Sequence, residues 1–328
     1  LNVVSWSENY NGSNYVNFWH SYAIHFFIKN SSLSDVKFLL SSAHFKIQLL
    51  NSSFILKTSD SITLSVFHPV LFTDENLLIV TRELSLHDVI VLSFVYDSSS
   101  IFLLVEVGNI NLEIVDTNFV NVSHPLKINT TSLGSGFNGV KLSVQLVNCV
   151  FKLSKLYRNS KSLAFYINKS IFLLVKAQII INNCSFINYF TERGAAISMV
   201  VEPYVSFKDI RVVLNISSSN FTNNFCLTSG CSVFISSEVE ARIDHSNFYV
   251  NSQLIISYNH LEIEQIILFI FSLSYTLISS CRFIYEDDNI LDQVTYVVIK
   301  PDYEILDFHR AEFVQVHHIC PSWFYTDI

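Results

Sequence analysis

The chain has 328 residues, half of them hydrophobic and 15% charged, with a formal net charge of −8. That balance argues against nucleic acid as a partner, because phosphate binding needs clustered Lys and Arg and none occurs. Gly (7) and Pro (5) are scarcer than a sandwich of tight hairpins requires, and the length fits either two compact domains or one solenoid.

Residues 1–37, rich in Asn, Tyr and Trp between Ser5 and His25, read as an N-terminal cap or truncated coil. The chain opens at Leu1 without Met and shows no signal peptide, which fits a mature form or an excised fragment. A repeat follows over residues 38–316. It alternates apolar–polar–apolar, passes two polar or bend residues, and closes on small–polar–Phe. The closing residues are Phe54, Phe119, Phe151, Phe186, Phe221, Phe248, Phe283 and Phe313. Recurrence at a few tens of residues means stacked structural units rather than one globular core.

Five residues before each Phe stand Leu49, Ile114, Leu146, Ile181, Ile216, Ile243, Ile278 and Phe308, all apolar. The position before these is mostly polar (Gln48, Glu113, Gln145), and the one before that is apolar again, so the segment is a strand with one buried face. The alternation then slips by one. Ser52, Thr117, Cys149, Cys184, Ser219, Ser246, Cys281 and Ala311, all small, stand two before the Phe. Keeping both sets inside requires a corner at Asn51, Asp116, Asn148, Asn183, Ser218, His245, Ser280 and Arg310. Asn and Asp tolerate the left-handed backbone that such a corner can require.

The fold class is therefore all-β: a parallel β-helix of about nine coils, each of roughly 30–35 residues and three short strands. The long gap between Phe54 and Phe119 spans two coils, filled by a degenerate segment around Leu84 and Leu86. Ser100–Glu106 and Ser170–Lys176 echo one another two periods apart. An ordinary β-sandwich with coincidental similarity is the plainer alternative. The most hydrophobic runs, Ile171–Val175 and Ile266–Ile278, are too short for a helical membrane crossing, and no membrane span is expected within the chain.

Ile181-Asn182-Asn183-Cys184-Ser185-Phe186-Ile187-Asn188 and Ser219-Asn220-Phe221-Thr222-Asn223-Asn224 resemble right-handed parallel β-helix repeats of the pectin-lyase-like superfamily. Arg193-Gly194-Ala195-Ala196-Ile197 and Ser229-Gly230-Cys231-Ser232-Val233 are similar to its "G-G-A-I" strand. The resemblance covers residues 40–315 and is nearest to non-enzymatic repeats of large eukaryotic surface proteins. It specifies fold far better than function. Residues 317–328, with Cys320-Pro321-Ser322-Trp323-Phe324-Tyr325, resemble the opening of a Cys-rich, EGF-like module, although Trp323 replaces the usual Gly. That resemblance implies that Cys320 pairs within the following module.

Chemistry is hard to find. An inverting glycosidase needs two carboxylates facing one another across roughly 6.5–9.5 Å, and the outward Glu113, Asp307 and Glu312 are too scattered to converge. Glu286-Asp287-Asp288 with Asp292 reads as a solvated corner loop rather than a Ca²⁺ site. His317-His318 beside Cys320 lacks the second ligand pair of a zinc site. Asp35, His44 and Ser61 form no nucleophile signature. No catalytic residue, metal or cofactor is expected.

Cys149 and Cys184 share one inward slot a coil apart. The spacing permits a bridge, but stacking in register rarely gives the required torsion, so a ladder of buried thiols is expected. Cys281 should be free and buried, and Cys226 with Cys231 is the best-placed disulfide pair. Nine Asn-x-Ser/Thr sequons begin at Asn11, Asn30, Asn51, Asn121, Asn129, Asn168, Asn183, Asn215 and Asn220. These asparagines are read as glycan acceptors of a secreted chain or, at the corners, simply as turn formers.

The leading expectation is an extracellular or cell-surface structural or adhesive scaffold without catalytic activity, meeting a protein or glycan ligand on an outer sheet face. The rival is a carbohydrate-active or carbohydrate-binding solenoid, for which outward aromatics on one sheet and convergent acids would speak. A bacterial autotransporter passenger is a third reading, disfavoured by the cysteines and sequons.

Overall fold

The computed structural model describes residues 2–6, 10–11, 15–34, 37–56, 64–67, 81–87, 89–93, 102–106, 109–130, 140–154, 164–169, 174–201, 211–236, 239–251, 265–271, 276–286, 294–300, 306–309 and 312–315. These residues are all β, without a helix, and every strand pairing among them is parallel. The strands recur in a fixed order and stack in register, an arrangement consistent with a β-solenoid.

One series, here the approach ladder, comprises Asn2–Trp6, Tyr15–Lys29, Lys37–Leu50, Thr81–His87, Asn109–Val115, Val140–Val147, Leu174–Asn182, Arg211–Ser217, Val239–Asp244, Thr276–Ser279 and Leu306–His309. Beyond the first corner, the Phe ladder comprises Tyr10–Asn11, Ser32–Ser34, Ser53–Leu56, Ile90–Ser93, Asn118–Val120, Val150–Lys152, Ser185–Ile187, Asn220–Thr222, Asn247–Asn251, Arg282–Glu286 and Glu312–Gln315. A third series precedes the approach strands: Leu64–Phe67, Phe102–Glu106, Leu126–Thr130, Phe165–Lys169, Ile197–Val201, Val233–Ser236, Gln265–Phe271 and Val294–Lys300. The long strands Tyr15–Lys29 and Lys37–Leu50 serve both the first and third series, which join into one sheet of 19 strands beside the 11-stranded Phe ladder. A two-stranded sheet, Phe190–Arg193 with Phe225–Ser229, lies past the Phe ladder.

Register explains the repeat. Ile47, Leu84, Leu112, Val144, Ile179, Leu214, Ala241, Thr276 and Leu306 align one above another. In the Phe slot the column runs Tyr10, Leu33, Phe54, Val91, Phe119, Phe151, Phe186, Phe221, Phe248, Phe283 and Phe313. The rings from Phe119 to Phe283 lie nearly parallel with centroids 4.7–5.0 Å apart. That separation is the strand spacing itself, and it falls within the range of offset-stacked rings. The rings are fully buried, as are the aliphatic residues beside them. Phe313 belongs to the column by register, and its side chain lies outside the described residues.

The strands Asn2–Trp6, Tyr10–Asn11, Tyr15–Lys29 and Ser32–Ser34 stack on the same ladders as the rest. Thr81–His87 and Ile90–Ser93 fill the interval between Phe54 and Phe119. The echo between 100–106 and 170–176 is not a stacking relation, because Phe102–Glu106 lies in the third series and Leu174–Asn182 in the approach ladder.

The first corner is left-handed at Asn30, Asn51, Asp116, Asn148, Asn183, Ser218, His245 and Ser280, with φ between 45° and 55°. Each small residue after it is more than a space-saver. The hydroxyl or thiol of Ser31, Ser52, Thr117, Cys149, Cys184, Ser219, Ser246 and Cys281 donates to the carbonyl two residues earlier, at 2.7–3.3 Å. Five of these slots also connect neighbouring coils, since Ser52, Ser219 and Ser246 Oγ accept from the N–H of Ser31, Cys184 and Ser219. Buried corner groups are thereby paired, as their burial demands.

A second corner, left-handed at Asn121, Asn188 and Asn223, follows the Phe ladder. Behind it Asn224 is fully buried, accepting from Tyr189 N–H and donating to Phe186 O, while the Tyr189 hydroxyl donates to Val122 O. A third turn uses Gly194 and Gly230 at φ +62° and +64°, where a Cβ would lie 2.6 Å from Ile197 O and Val233 O.

Candidate functional site

Strand alternation sends every second side chain outward, so chemistry must be sought in the outward rows and at the corners. On the approach ladder the row between the two apolar columns runs Gln48, Ser85, Glu113, Gln145, Ile180, Asn215, Arg242 and Leu277. Its members change character at almost every step. Glu113 is half-buried in that row; the side chains of Asp307 and Glu312 lie outside the described residues. So do those of Asp35, His44, Ser61, Glu286, Asp287, Asp288, Asp292, His317, His318 and Cys320.

Register assembles one polar cluster that spacing along the chain conceals. Asp244 ends one approach strand and Ser279 the next, and Ser279 Oγ donates to Asp244 Oδ1 at 2.6 Å. His245 Nδ1 stands 2.7 Å from the other carboxylate oxygen. Against the cost of partial burial, the Ser279 hydrogen bond and the His245 contact hold the Asp244 carboxyl below its usual value. The carboxylate sits between hydroxyl and imidazole, so the histidine is not placed to take the serine proton, which nucleophilic activation requires. Next to it Arg242 pairs with Glu240 at 3.0 Å. This cluster was missed in the sequence because its members are 35 residues apart; the faint signal is polarity just before the corner at Asn182, Ser217, Asp244 and Ser279. Among the described residues, no three His, Cys, Asp or Glu side chains are grouped to hold a metal.

Amide ladders run along the corner: Asn183 Nδ2 donates to Asn148 Oδ1 at 2.8 Å, and Asn148 Nδ2 to Asp116 Oδ1 at 2.9 Å. The sequon asparagines Asn30, Asn51 and Asn183 occupy this exposed corner row. Asn220 is exposed on the Phe ladder and accepts from Asn247 Nδ2 at 2.9 Å. Asn121 is half-buried at the second corner, its Oδ1 accepting from Ser154 N–H at 2.7 Å. Asn215 is half-buried in the middle of the approach face, and its Oδ1 is buried without a hydrogen-bond partner. The side chains of Asn11, Asn129 and Asn168 lie outside the described residues.

Cys226 and Cys231 are joined across Gly230, their Cα atoms 4.7 Å apart, and both are buried. Cys149, Cys184 and Cys281 are free thiols. The hydrogen bond shared with Cys149, reinforced by burial, drives the Cys184 thiol far up, and burial pushes Cys281 up to about 11. Thiols held protonated in the interior are poor nucleophiles, so both behave as core residues.

No family model matches this chain. No curated protein and no solved structure is significantly similar to it. Among the described residues there is also no helix long and apolar enough to cross a membrane.

Proposed function

We propose that the chain is a non-catalytic scaffold of an extracellular or cell-surface protein, built as a right-handed parallel β-helix of the pectin-lyase-like kind. The observation that carries this reading is the contrast in how the stack uses its residues. A Phe column unbroken from Phe119 to Phe283, a hydrogen-bonded small-residue slot and left-handed corners recur along the stack. Outward rows, where chemistry would have to converge, change from coil to coil. A stack of this kind gains stability from each coil and its neighbours and offers a long rigid face for a protein or glycan ligand. The Cys226–Cys231 disulfide fits an oxidising compartment, as do the sequons.

The rival, a carbohydrate-active or carbohydrate-binding solenoid, draws support from Tyr249, the one outward aromatic among the described side chains of the Phe ladder, with Asn220 and Asn247 beside it. Two experiments separate the readings. Antibody staining of intact, unpermeabilised source cells should label their surface; label only after permeabilisation contradicts the extracellular assignment. Incubation with a panel of acidic and neutral polysaccharides should release no new reducing ends or unsaturated products. Turnover of any of them would establish the rival.

A further inference from the structure

The sequons divide by how far their asparagines stand out of the stack: Asn30, Asn51, Asn183 and Asn220 are exposed, Asn121 and Asn215 half-buried. We propose that, in the folded protein, N-glycans are carried along one edge, at Asn30, Asn51, Asn183 and Asn220, and that Asn121 and Asn215 remain bare. This rests on the secreted-glycoprotein reading and names its modification sites.

In the modification, Asn Nδ2 displaces a polyprenyl diphosphate from the anomeric carbon of a lipid-linked oligosaccharide. The Nδ2–C1 bond forms, the C1–O bond breaks, the diphosphate leaves with the bonding pair, and the amide gives up one proton. Transfer takes place on the unfolded chain. The fold therefore selects which glycosylated chains can close their coils.

At Asn30 and Asn51 the amide is exposed at a left-handed corner and makes no hydrogen bond among the described residues. At Asn220 the bond from Asn247 Nδ2 fixes Oδ1 toward the following coil, so Nδ2 faces the other way on an exposed row. Asn183 uses one amide hydrogen on Asn148. The glycosidic amide is trans, so the sugar replaces the hydrogen beside Oδ1 and leaves the opposite one, which an amide ladder uses. Asn183 can thus keep its bond and carry a glycan.

Asn215 differs in every respect. It lies in mid-sheet between Ile180 and Arg242, and its unpartnered Oδ1 has less than 1 Å² of exposure. A sugar on the nitrogen of the same amide would have to displace those neighbours. Asn121 is half-buried at the second corner, away from the exposed edge that carries the other four.

The test is expression of the full chain behind a signal peptide in eukaryotic cells. Secreted, monomeric protein is treated with peptide-N-glycosidase in ¹⁸O-water and mapped by peptide mass spectrometry. The proposal expects ¹⁸O-labelled aspartate at positions 30, 51, 183 and 220 and unlabelled asparagine at 121 and 215. Asn220→Gln should remove one glycan from the intact mass, and Asn215→Gln none. Label at 121 or 215, or a bare edge with glycans elsewhere, overturns this inference alone. Secreted protein without label at any sequon overturns the glycoprotein reading as well.

Discussion

Inside the first corner, the slot two residues before the Phe position holds Ser, Thr or Cys in every described coil except at Val89, and the Phe position holds Phe from 119 through 283. Outside, on the approach strand six residues before the Phe position, the row reads Gln48, Ser85, Glu113, Gln145, Ile180, Asn215, Arg242 and Leu277. Both rows are stacked at the same strand spacing, so geometry alone does not account for the difference. The inner rows are buried, and each must satisfy its neighbours above and below. Solvent relieves the outer rows of that demand and leaves them free for partners.

The comparison is most open to attack at the Phe column. Phe186→Ala removes a fully buried ring stacked on two others and should cost about 3–5 kcal/mol in denaturant titration. The exposed Gln145→Ala should stay within about 0.5 kcal/mol. Equal costs would abolish the distinction between the faces. Next in size is Ser219→Ala, which deprives the Ser217 carbonyl of a donor and the Cys184 N–H of an acceptor, at about 1–3 kcal/mol. Ser219→Cys should be milder, since Cys149 and Cys184 fill the same slot. If both substitutions cost the same, the slot selects for size and not for its hydrogen bonds.

The corner itself gives a smaller effect. At Asn148, φ 55°, a β-branched residue is strained, and Asn148→Val should cost about 1–2 kcal/mol more than Asn148→Gly in thermal unfolding. Smallest is Asp244. Its carboxyl is lowered on folding, so its contribution is present above the unfolded value near about 3.9 and disappears as pH falls through the folded value. Because the side chain is 43% exposed, that contribution is at most a few tenths of a kcal/mol. Asp244→Asn should therefore shift stability slightly at pH 7, and the shift should fade as pH falls through the folded value; a shift that does not change with pH would assign the effect to packing.

How much of this was legible in the sequence follows from the same contrast. The Phe positions, the apolar pair before them and the corner could be read directly because the interior repeats itself. Tyr10, Leu33 and Val91 escaped notice because the column accepts any bulky apolar side chain once neighbours fix the register. The size of the small slot was visible but its hydrogen bonding was not, since a hydroxyl and a thiol look alike only when the carbonyl they share is seen. The Asp244–Ser279 bond and the Asn183–Asn148 ladder each join residues 35 apart and exist only through stacking. Outward rows carry no period, so no sequence pattern could announce them.

The central claim is that strands distant in sequence stack in parallel register. It can be tested by a pulsed electron–electron distance between spin labels at Lys46→Cys and Gln178→Cys, in a Cys320→Ser background. The two sites are exposed in one row, joined through Glu83, Asn111 and Ser143. Four strand spacings predict a single narrow distribution near about 19 Å, widened only by the label arms. A broad distribution, or a narrow one far from that value, would contradict the account.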